Sequence, residues 1–420
     1  MSISPSPSSP LVRSRAQRLV DAARDLGPER LRLLTVVTGG HIVIHWFQQL
    51  FPVALPFIKA GLGLNAVQAG ALGAARQFGQ GTLNLPAGIL GDALYRYRDM
   101  ILASSLVMMG LAYLLFGSRG GFGVAFAASV LIGFGTALWH PTAAATLTSK
   151  FPERRGTAIS VHGTGATVSD SLSPLAQGVL LAALPWEGIL WWQIVPGILF
   201  GFLVLRGLLG LFRQDEVPRS RIGRFGEMMA LLKDGTFVAI SASRGLLTMG
   251  RVVVLTFLPI YLVEELGLSA SLLGVYWMLL HVVGIFSQTP LGYLSDRYGR
   301  KLVLVPSMLV LGVLYMLLAV APPVLALTVV ITAIGTFFYT LMNVITAVIA
   351  DVAGANVQAS SQGLTTVIAQ VAVLPTPILA GYLSDLYGAG SAFVLAGVFV
   401  FISAACLMPL KLYAGDRDAL

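Results

Sequence analysis

Twelve stretches, each nearly free of charge, divide this chain at about residues 33–57, 68–91, 99–117, 122–149, 156–184, 189–211, 235–263, 270–294, 301–320, 324–350, 358–384 and 390–411. Each is long enough to cross the ~30 Å hydrocarbon core of a bilayer as a helix. Hydrocarbon offers the backbone no hydrogen-bond partner, so a spanning segment is a helix or a strand of a closed barrel. Strands cross with ~9–11 residues, about half the length of these runs. The expected fold class is therefore an all-α polytopic membrane protein with twelve transmembrane helices. Composition agrees: 11% of residues are charged and 56% hydrophobic, where a soluble chain is roughly a quarter charged.

The net charge of +8 could point to nucleic acid, but its residues lie in the loops between apolar runs. There Lys and Arg act as an orientation signal. With the N-terminus inside, 21 of the 27 Lys and Arg fall on the cytoplasmic side, while only Lys59 and Arg119 occupy the opposite loops. Both termini are expected in the cytoplasm, the chain in a bacterial-type cytoplasmic (inner) membrane, and no nucleic acid as partner. Residues 212–234 form the longest polar interruption and separate a half at 33–211 from a half at 235–411. Tails at 1–32 and 412–420 flank them. In the first tail, Val12, Ala16, Leu19, Val20, Ala23 and Leu26 share one helical face, with Arg13, Arg15, Arg18 and Arg24 largely elsewhere. That pattern suits a short helix on an anionic leaflet or a solvated tail helix. The chain start lacks the features of a secretory signal, and the single Cys406 excludes an internal disulfide.

One charged turn recurs. Gly292-Tyr-Leu-Ser-Asp-Arg-Tyr-Gly-Arg-Lys301 joins two apolar runs, and a weaker copy, Gly88-Ile-Leu-Gly-Asp-Ala-Leu-Tyr-Arg96, stands 204 residues earlier. Ile132-Gly133 repeats as Ile334-Gly335 at a spacing of 202, and Pro174 and Gly178 as Pro377 and Gly381 at 203. Two six-helix halves of the same orientation imply a pseudo-two-fold along the membrane normal, with substrate near the midplane between them.

The turn carries a resemblance. Gly292, Asp296, Arg297, Gly299, Arg300 and Lys301 match the loop motif of the major facilitator superfamily, and over about residues 31–411 the chain resembles that family. The first copy keeps Gly88, Asp92 and Arg96 and departs at Ala93 and Tyr97. Within the superfamily the chain looks most like the fosmidomycin-resistance type of exporter. The points of similarity are Gly40-His41 with Gln48 and Pro52, Trp139-His140-Pro141, and Ser173-Pro174-Leu175. It departs at His45, where such proteins commonly place an acidic residue, and at Thr142, where a Glu would stand. The antiporter motif of drug exporters is partly kept at Pro174 and Gly178, with Ser160, Ser169, Ser173 and Gln177 replacing its glycines. The resemblance implies secondary transport by alternating access, a cavity lined by the first, fourth, seventh and tenth helices, and gating by the charged turns. In the second turn, Asp296 can hold Arg297 or Arg300, or cap a neighbouring helix.

Ionisable groups in hydrocarbon are costly and by default face a cavity or each other. All five histidines lie in the apolar runs: His41, His45, His140, His162 and His281. Polar residues form stripes at helical spacing: His41, His45 and Gln48; Ser241, Arg244, Thr248 and Arg251; Tyr339, Asn343 and Thr346; Arg76, Gln80 and Asn84. Counted at ~1.5 Å per residue, His41, His140 and Arg244 share the midplane, and His45, Arg76 and Asp170 form a second layer. The midplane set holds no carboxylate, which favours an anionic or zwitterionic substrate bound by a guanidinium. Arg244 either anchors that substrate or is tied to helix carbonyls. Asp170 either titrates during transport or is ion-paired with Arg76, and His41, His140 and Asp170 would make a proton relay. His41 and His45, one turn apart, could instead bind a transition metal with His140. No thiolate or carboxylate completes that set, so no metal is expected. His162 and His281 read as helix contacts.

No phosphate loop, Gly-x-Ser-x-Gly elbow or His-Glu-x-x-His occurs, so neither enzymatic chemistry nor a cofactor is expected. The expected function is proton-coupled export of a small organic anion or zwitterion, by a monomer in the bilayer. Proton-coupled uptake of an organic anion is the alternative within transport, and a ligand-sensing membrane protein the rival class.

Overall fold

The computed structural model describes residues 26–212, 230–320, 324–353 and 358–412. The expected tail helix, most of the linker, the tail at 413–420 and the side-chain surroundings of Gly88 and Asp92 fall outside the described ones. α1 is Pro28–Gly61 and α2 Ala66–Ala93. After a 3-10 turn at Tyr95–Tyr97 come α3, Arg98–Gly117, α4, Gly121–Lys150, and α5, Arg155–Ala183. α6 is broken at Gln193 into Trp186–Trp192 and Ile194–Leu208. α7, Gly235–Ile260, is extended by a π-turn at Tyr261–Glu265. α8 is Ala270–Tyr298 and α9 Arg300–Leu318. α10 has two pieces, Val324–Phe338 and Thr340–Ala353, and α11 two, Gln358–Val373 and Thr376–Tyr387. α12 is Gly390–Leu407.

Local chemistry starts several of these helices. Asn65 and Gln68 cap α2 reciprocally, the Gln68 N–H donating to Asn65 Oδ1 at 2.8 Å and the Asn65 N–H to Gln68 Oε1 at 3.1 Å. Asp234 accepts from the Thr236 N–H at 2.8 Å to open α7. Prolines stand inside α1, α2, α4, α5, α7, α8 and α9, as helices in a bilayer tolerate.

Among the described residues, ten helical stretches are long and apolar enough to cross a membrane. The other two of the twelve are α2 and α5, which are as long, at 28 and 29 residues, but less apolar. Their place in the bundle explains this. Within the first half α2 packs on α4, α3 on α4, α1 on α5, and α6 on α1 and α3. Six helices later the same contacts recur: α8 on α10, α9 on α10, α7 on α11, and α12 on α7 and α9. The halves meet through α5 with α8 and α2 with α11, two pairs that exchange under the same operation. α2 and α5 thus each pack against both halves, and the faces they turn to protein do not demand an apolar surface.

The exchange holds to the residue. A Cβ at Gly178 would lie 2.5 Å from the Ala270 carbonyl, and one at Gly274 2.5 Å from that of Pro174. On the other side Gly381 meets Ala66 at 2.3 Å and Gly70 meets Pro377 at 2.1 Å. Glycine at these four positions lets the backbones touch. The structure also exposes a repeat that the sequence reading missed. Gly381-Tyr-Leu-Ser-Asp-Leu-Tyr-Gly388 copies Gly292-Tyr-Leu-Ser-Asp-Arg-Tyr-Gly299 with Leu386 for Arg297 as its single change. The copy at residues 381–388 ends α11 at the face where α1 ends, and that at residues 292–299 ends α8 at the face where α1 begins, as an inverted repeat within a half requires. Each ends on a glycine in the left-handed region, φ 85° at Gly388 and 104° at Gly299, which a residue with a Cβ resists.

Candidate functional site

The site lies where α1, α4 and α5 of the first half face α8 and α10 of the second. On α1, His41, His45 and Gln49 follow at helical spacing and face α5. His41 brings Nδ1 to 2.9 Å from the His162 carbonyl, and its ring stacks on that of His162, centroids 3.7 Å apart and planes 3° from parallel. The His45 ring meets His41 edge-on at 4.6 Å, and His140 from α4 closes the group at 5.3 Å from His41 and 5.6 Å from His45. His162, read from the sequence as a helix contact, is a member of this cluster. Its spacing to Gly165 and Ser169, the α5 positions that touch α1, is the signal that could have found it.

Asp170 organises the layer above. Its Oδ1 lies 2.7 Å from His45 Nδ1 and accepts from Gln49 Nε2 at 2.7 Å, while Oδ2 accepts from the Tyr339 hydroxyl at 3.4 Å. Gln49 accepts in turn from Trp277 Nε1 at 2.8 Å and lies 3.2 Å from His281 Nε2. One carboxylate on α5 therefore ties α1 to α8 and α10, across the two halves. The ion pair between Asp170 and Arg76, one of the two readings considered for that carboxylate, is not formed. His45 takes the carboxylate, and the Arg76 guanidinium lies over the Phe51 ring at 5.5 Å. Of the residues considered for a relay, His41 and His140 stand beside His45, and His45 rather than either of them touches Asp170. His281 Nδ1 lies 2.7 Å from the Trp277 carbonyl of its own helix, and its other nitrogen faces Gln49 on α1.

Arg251 lies over Phe338 and Tyr339, at 4.4 and 4.8 Å from the ring centres. Its Nε, and that of Arg76, are buried without a hydrogen-bond partner. Arg244 stands apart from the histidines, donating to Gln362 at 2.9 Å, Thr365 at 3.1 Å and Thr366 at 3.3 Å on α11. The tie to helix carbonyls considered for it is replaced by a tie to neutral side chains. Asn343 is exposed and donates to Gln288 at 2.9 Å, outside the histidine cluster. Gln49, Trp277 and Tyr339 were not singled out as site residues, because amide, indole and phenol groups inside apolar runs carry no charge signal.

The charged turns resolve differently from one another. In the second, Arg300 pairs with Asp296, donates to Ser295 Oγ at 3.2 Å, and reaches Asp351 at 3.0 Å. Arg297 donates to the Tyr293 hydroxyl at 3.2 Å instead, and Gly292 and Gly299 flank the α8 end. In the first turn the expected partner Arg96 is exposed. The 3-10 turn Tyr95–Tyr97 lengthens this loop, so the residue that opens α3, as Arg300 opens α9, is Arg98. Arg98 is 2% exposed, lies 4.5 Å from the Tyr95 ring and donates to Ser149 at 3.4 Å. Ser149 and Asp351 are themselves 202 residues apart, the interval of the repeat.

At the opposite face the halves are fastened. Asp385, the acid of the third turn, accepts from the backbone N–H groups of Ala66 at 2.9 Å and Val67 at 3.1 Å. It thereby sits on the N-terminus of α2, where the helix dipole favours an anion. Lys59 at the end of α1 reaches Glu264 across the halves at 2.6 Å. At the face where α1 begins, the described pairs Arg30–Glu153 and Arg300–Asp351 each stay within one half. The described ion pair and helix cap that join the halves thus lie at the face where α1 ends and α2 begins.

Comparisons with known proteins agree on the family and differ in cargo. The sequence matches the profile of the Major Facilitator Superfamily over residues 37–373 and 240–418. It is 26% identical to a hexuronate transporter of Bacillus subtilis over 377 residues, 84% of this chain and 88% of that protein. It is 23% identical to a probable sulfoacetate transporter of Cupriavidus necator over 378 residues, 84% and 87% of the two chains. Among solved structures, a nucleoside transporter superposes with a TM-score of 0.76 at 12% identity, covering 90% of this chain and all of that one. A bacterial homologue of the lysosomal transporter Spinster, inward-facing and unoccupied, superposes at 0.71 with 17% identity, covering 90% and 96%.

Proposed function

We propose that this chain, which belongs to the Major Facilitator Superfamily and is a membrane transporter rather than an enzyme, carries a small organic anion by alternating access. One observation carries the reading. Arg76, Arg244 and Arg251 lie in the spans with no carboxylate partner among the described residues, while the cavity's Asp170 bonds to His45 instead. A charge held away from water is costly unless paired, and a substrate carboxylate or sulfonate would supply the missing partner. Two relatives are named for anions, hexuronate and sulfoacetate, which favours an anionic cargo, and we take uptake as the direction. Entry of an anion against an inside-negative potential costs about 2.3 kcal/mol per charge per 100 mV, a cost that a symported proton removes. Proton-coupled export is the second reading, supported by the short motifs around His41, His140 and Pro174.

In this reading the halves at 33–211 and 235–411 rock about the chamber, both termini are cytoplasmic, the transporter works as a monomer in the inner membrane, and Gly88, Asp92, Gly292, Asp296 and Arg300 belong to the cytoplasmic gate. Proteoliposomes with an imposed pH gradient and radiolabelled glucuronate or sulfoacetate test it. Flux should follow the gradient and fall at least about 10-fold in Arg251→Gln, the loss of one charge-assisted contact. Equal flux of a neutral sugar, or undiminished flux in Arg76→Gln, Arg244→Gln and Arg251→Gln alike, would remove the anion reading. Binding without flux would make the chain a sensor.

A further inference from the structure

We propose that His41, His45 and His140 form a three-nitrogen site for a divalent transition-metal ion of the zinc, nickel, cobalt and copper class. The three side chains come from α1 and α4, and each offers a ring nitrogen such that all three lie within 4.8 Å of one another. Nitrogens bound to one zinc at ~2.0–2.1 Å sit ~3.4 Å apart in a tetrahedron, so small rotations of the rings close the set.

Proximity alone would describe any crowded histidines. The groups behind the rings make the case. A carbonyl and a carboxylate only accept, so the contact of His41 Nδ1 with the His162 carbonyl at 2.9 Å and that of His45 Nδ1 with Asp170 at 2.7 Å both place the proton on Nδ1. Nε2 of each ring is then the nitrogen left with a free lone pair for a metal. A histidine whose far nitrogen is held by a carboxylate or carbonyl is the usual form of a metal ligand, because that bond fixes the tautomer and raises the basicity of the ligating nitrogen. His140 adds a buried Nδ1 with no hydrogen-bond partner. The carboxylate whose absence from the ligand set argued against a metal is therefore present, one bond further out. Asp170 also supplies the counter-charge that a cation in a low-dielectric chamber requires.

Donor type sets the selectivity. Neutral imidazoles suit zinc, copper, nickel and cobalt, whereas magnesium and calcium demand several oxygens. Three protein nitrogens leave a coordination position open toward the chamber. Metal binding is independent of the anion and proton readings, since it is measured without transport.

The test uses the full chain purified in detergent without a histidine tag and stripped with chelator. Zinc content is read by mass spectrometry, affinity by calorimetry, and coordination by the visible bands of cobalt(II). One equivalent of zinc or cobalt is expected, with tetrahedral cobalt bands and no displacement by magnesium or calcium. In His45→Asn with His140→Asn the bands vanish and affinity falls at least 100-fold. In Asp170→Asn the metal still binds, with affinity weakened about 10- to 100-fold. Size-exclusion profiles without metal establish that these variants are folded. Stoichiometric zinc retained by the double variant, or none bound by the wild type, overturns the proposal.

Discussion

Gln49 shows how much of the site rests on residues that carry no charge. It is buried, donates to Asp170 at 2.7 Å and accepts from Trp277 at 2.8 Å, so it joins α1 to both α5 and α8. Leucine fills the same space and serves neither partner. Gln49→Leu should cost about 1–3 kcal/mol for each group left unsatisfied, seen as earlier thermal unfolding in detergent. An unchanged melting profile would mean the bridge does not form. The sequence marked Asp170, His45 and Arg76 as one layer by depth, and in the structure His45 meets Asp170 while Arg76 lies over Phe51. It could not choose between arginine and histidine as the partner of Asp170. That choice depends on which side of α2 and α1 faces α5, and the Phe51 ring that receives Arg76 is a packing outcome.

Among the helices, the octapeptide shared by α8 and α11 is the most informative element. At α11 its acid caps the N-terminus of α2 across the halves, while at α8 its acid pairs within its own half. The α11 copy is thus engaged as a latch in the conformation described. An anion at a helix N-terminus is worth roughly 0.3–1 kcal/mol, and 1 kcal/mol is about a 5-fold change in population. Asp385→Asn should open the face opposite the termini by up to that factor. The readout is the labelling rate of a cysteine at Ala69 by an impermeant thiol reagent, in a Cys406→Ser background. An unaltered rate would assign Asp385 a purely structural cap. The first charged turn teaches a related lesson. Spacing matched Arg96 to Arg300, but a short 3-10 insertion moves the equivalence to Arg98, since a motif is aligned by the helix it opens and not by residue count.

For the whole molecule, the two glycine-lined crossings fix which face is shut. No side chain fits at Gly178 while the Ala270 carbonyl lies 2.5 Å from where its Cβ would stand. Gly178→Leu should therefore hold α5 and α8 apart and leave the opposite face open. Spin labels on cysteines at Lys59 and Glu264 would report a longer distance across the halves than in the parent chain. An equal distance would show that the crossing yields locally.

The sequence by itself determined the membrane-spanning helices, the two-fold repeat and the charged turns, because hydrocarbon leaves the backbone no other choice and loop charges stay in water. It also marked the ionisable residues inside the spans, since a charge among apolar residues stands out in the chain itself. Only the tertiary structure decided which of those residues meet: His162 with His41, His45 with Asp170, Asp385 with the start of α2. Those contacts depend on the rotation of each helix about its own axis and on which half it faces, and both are set by packing between segments far apart in the chain.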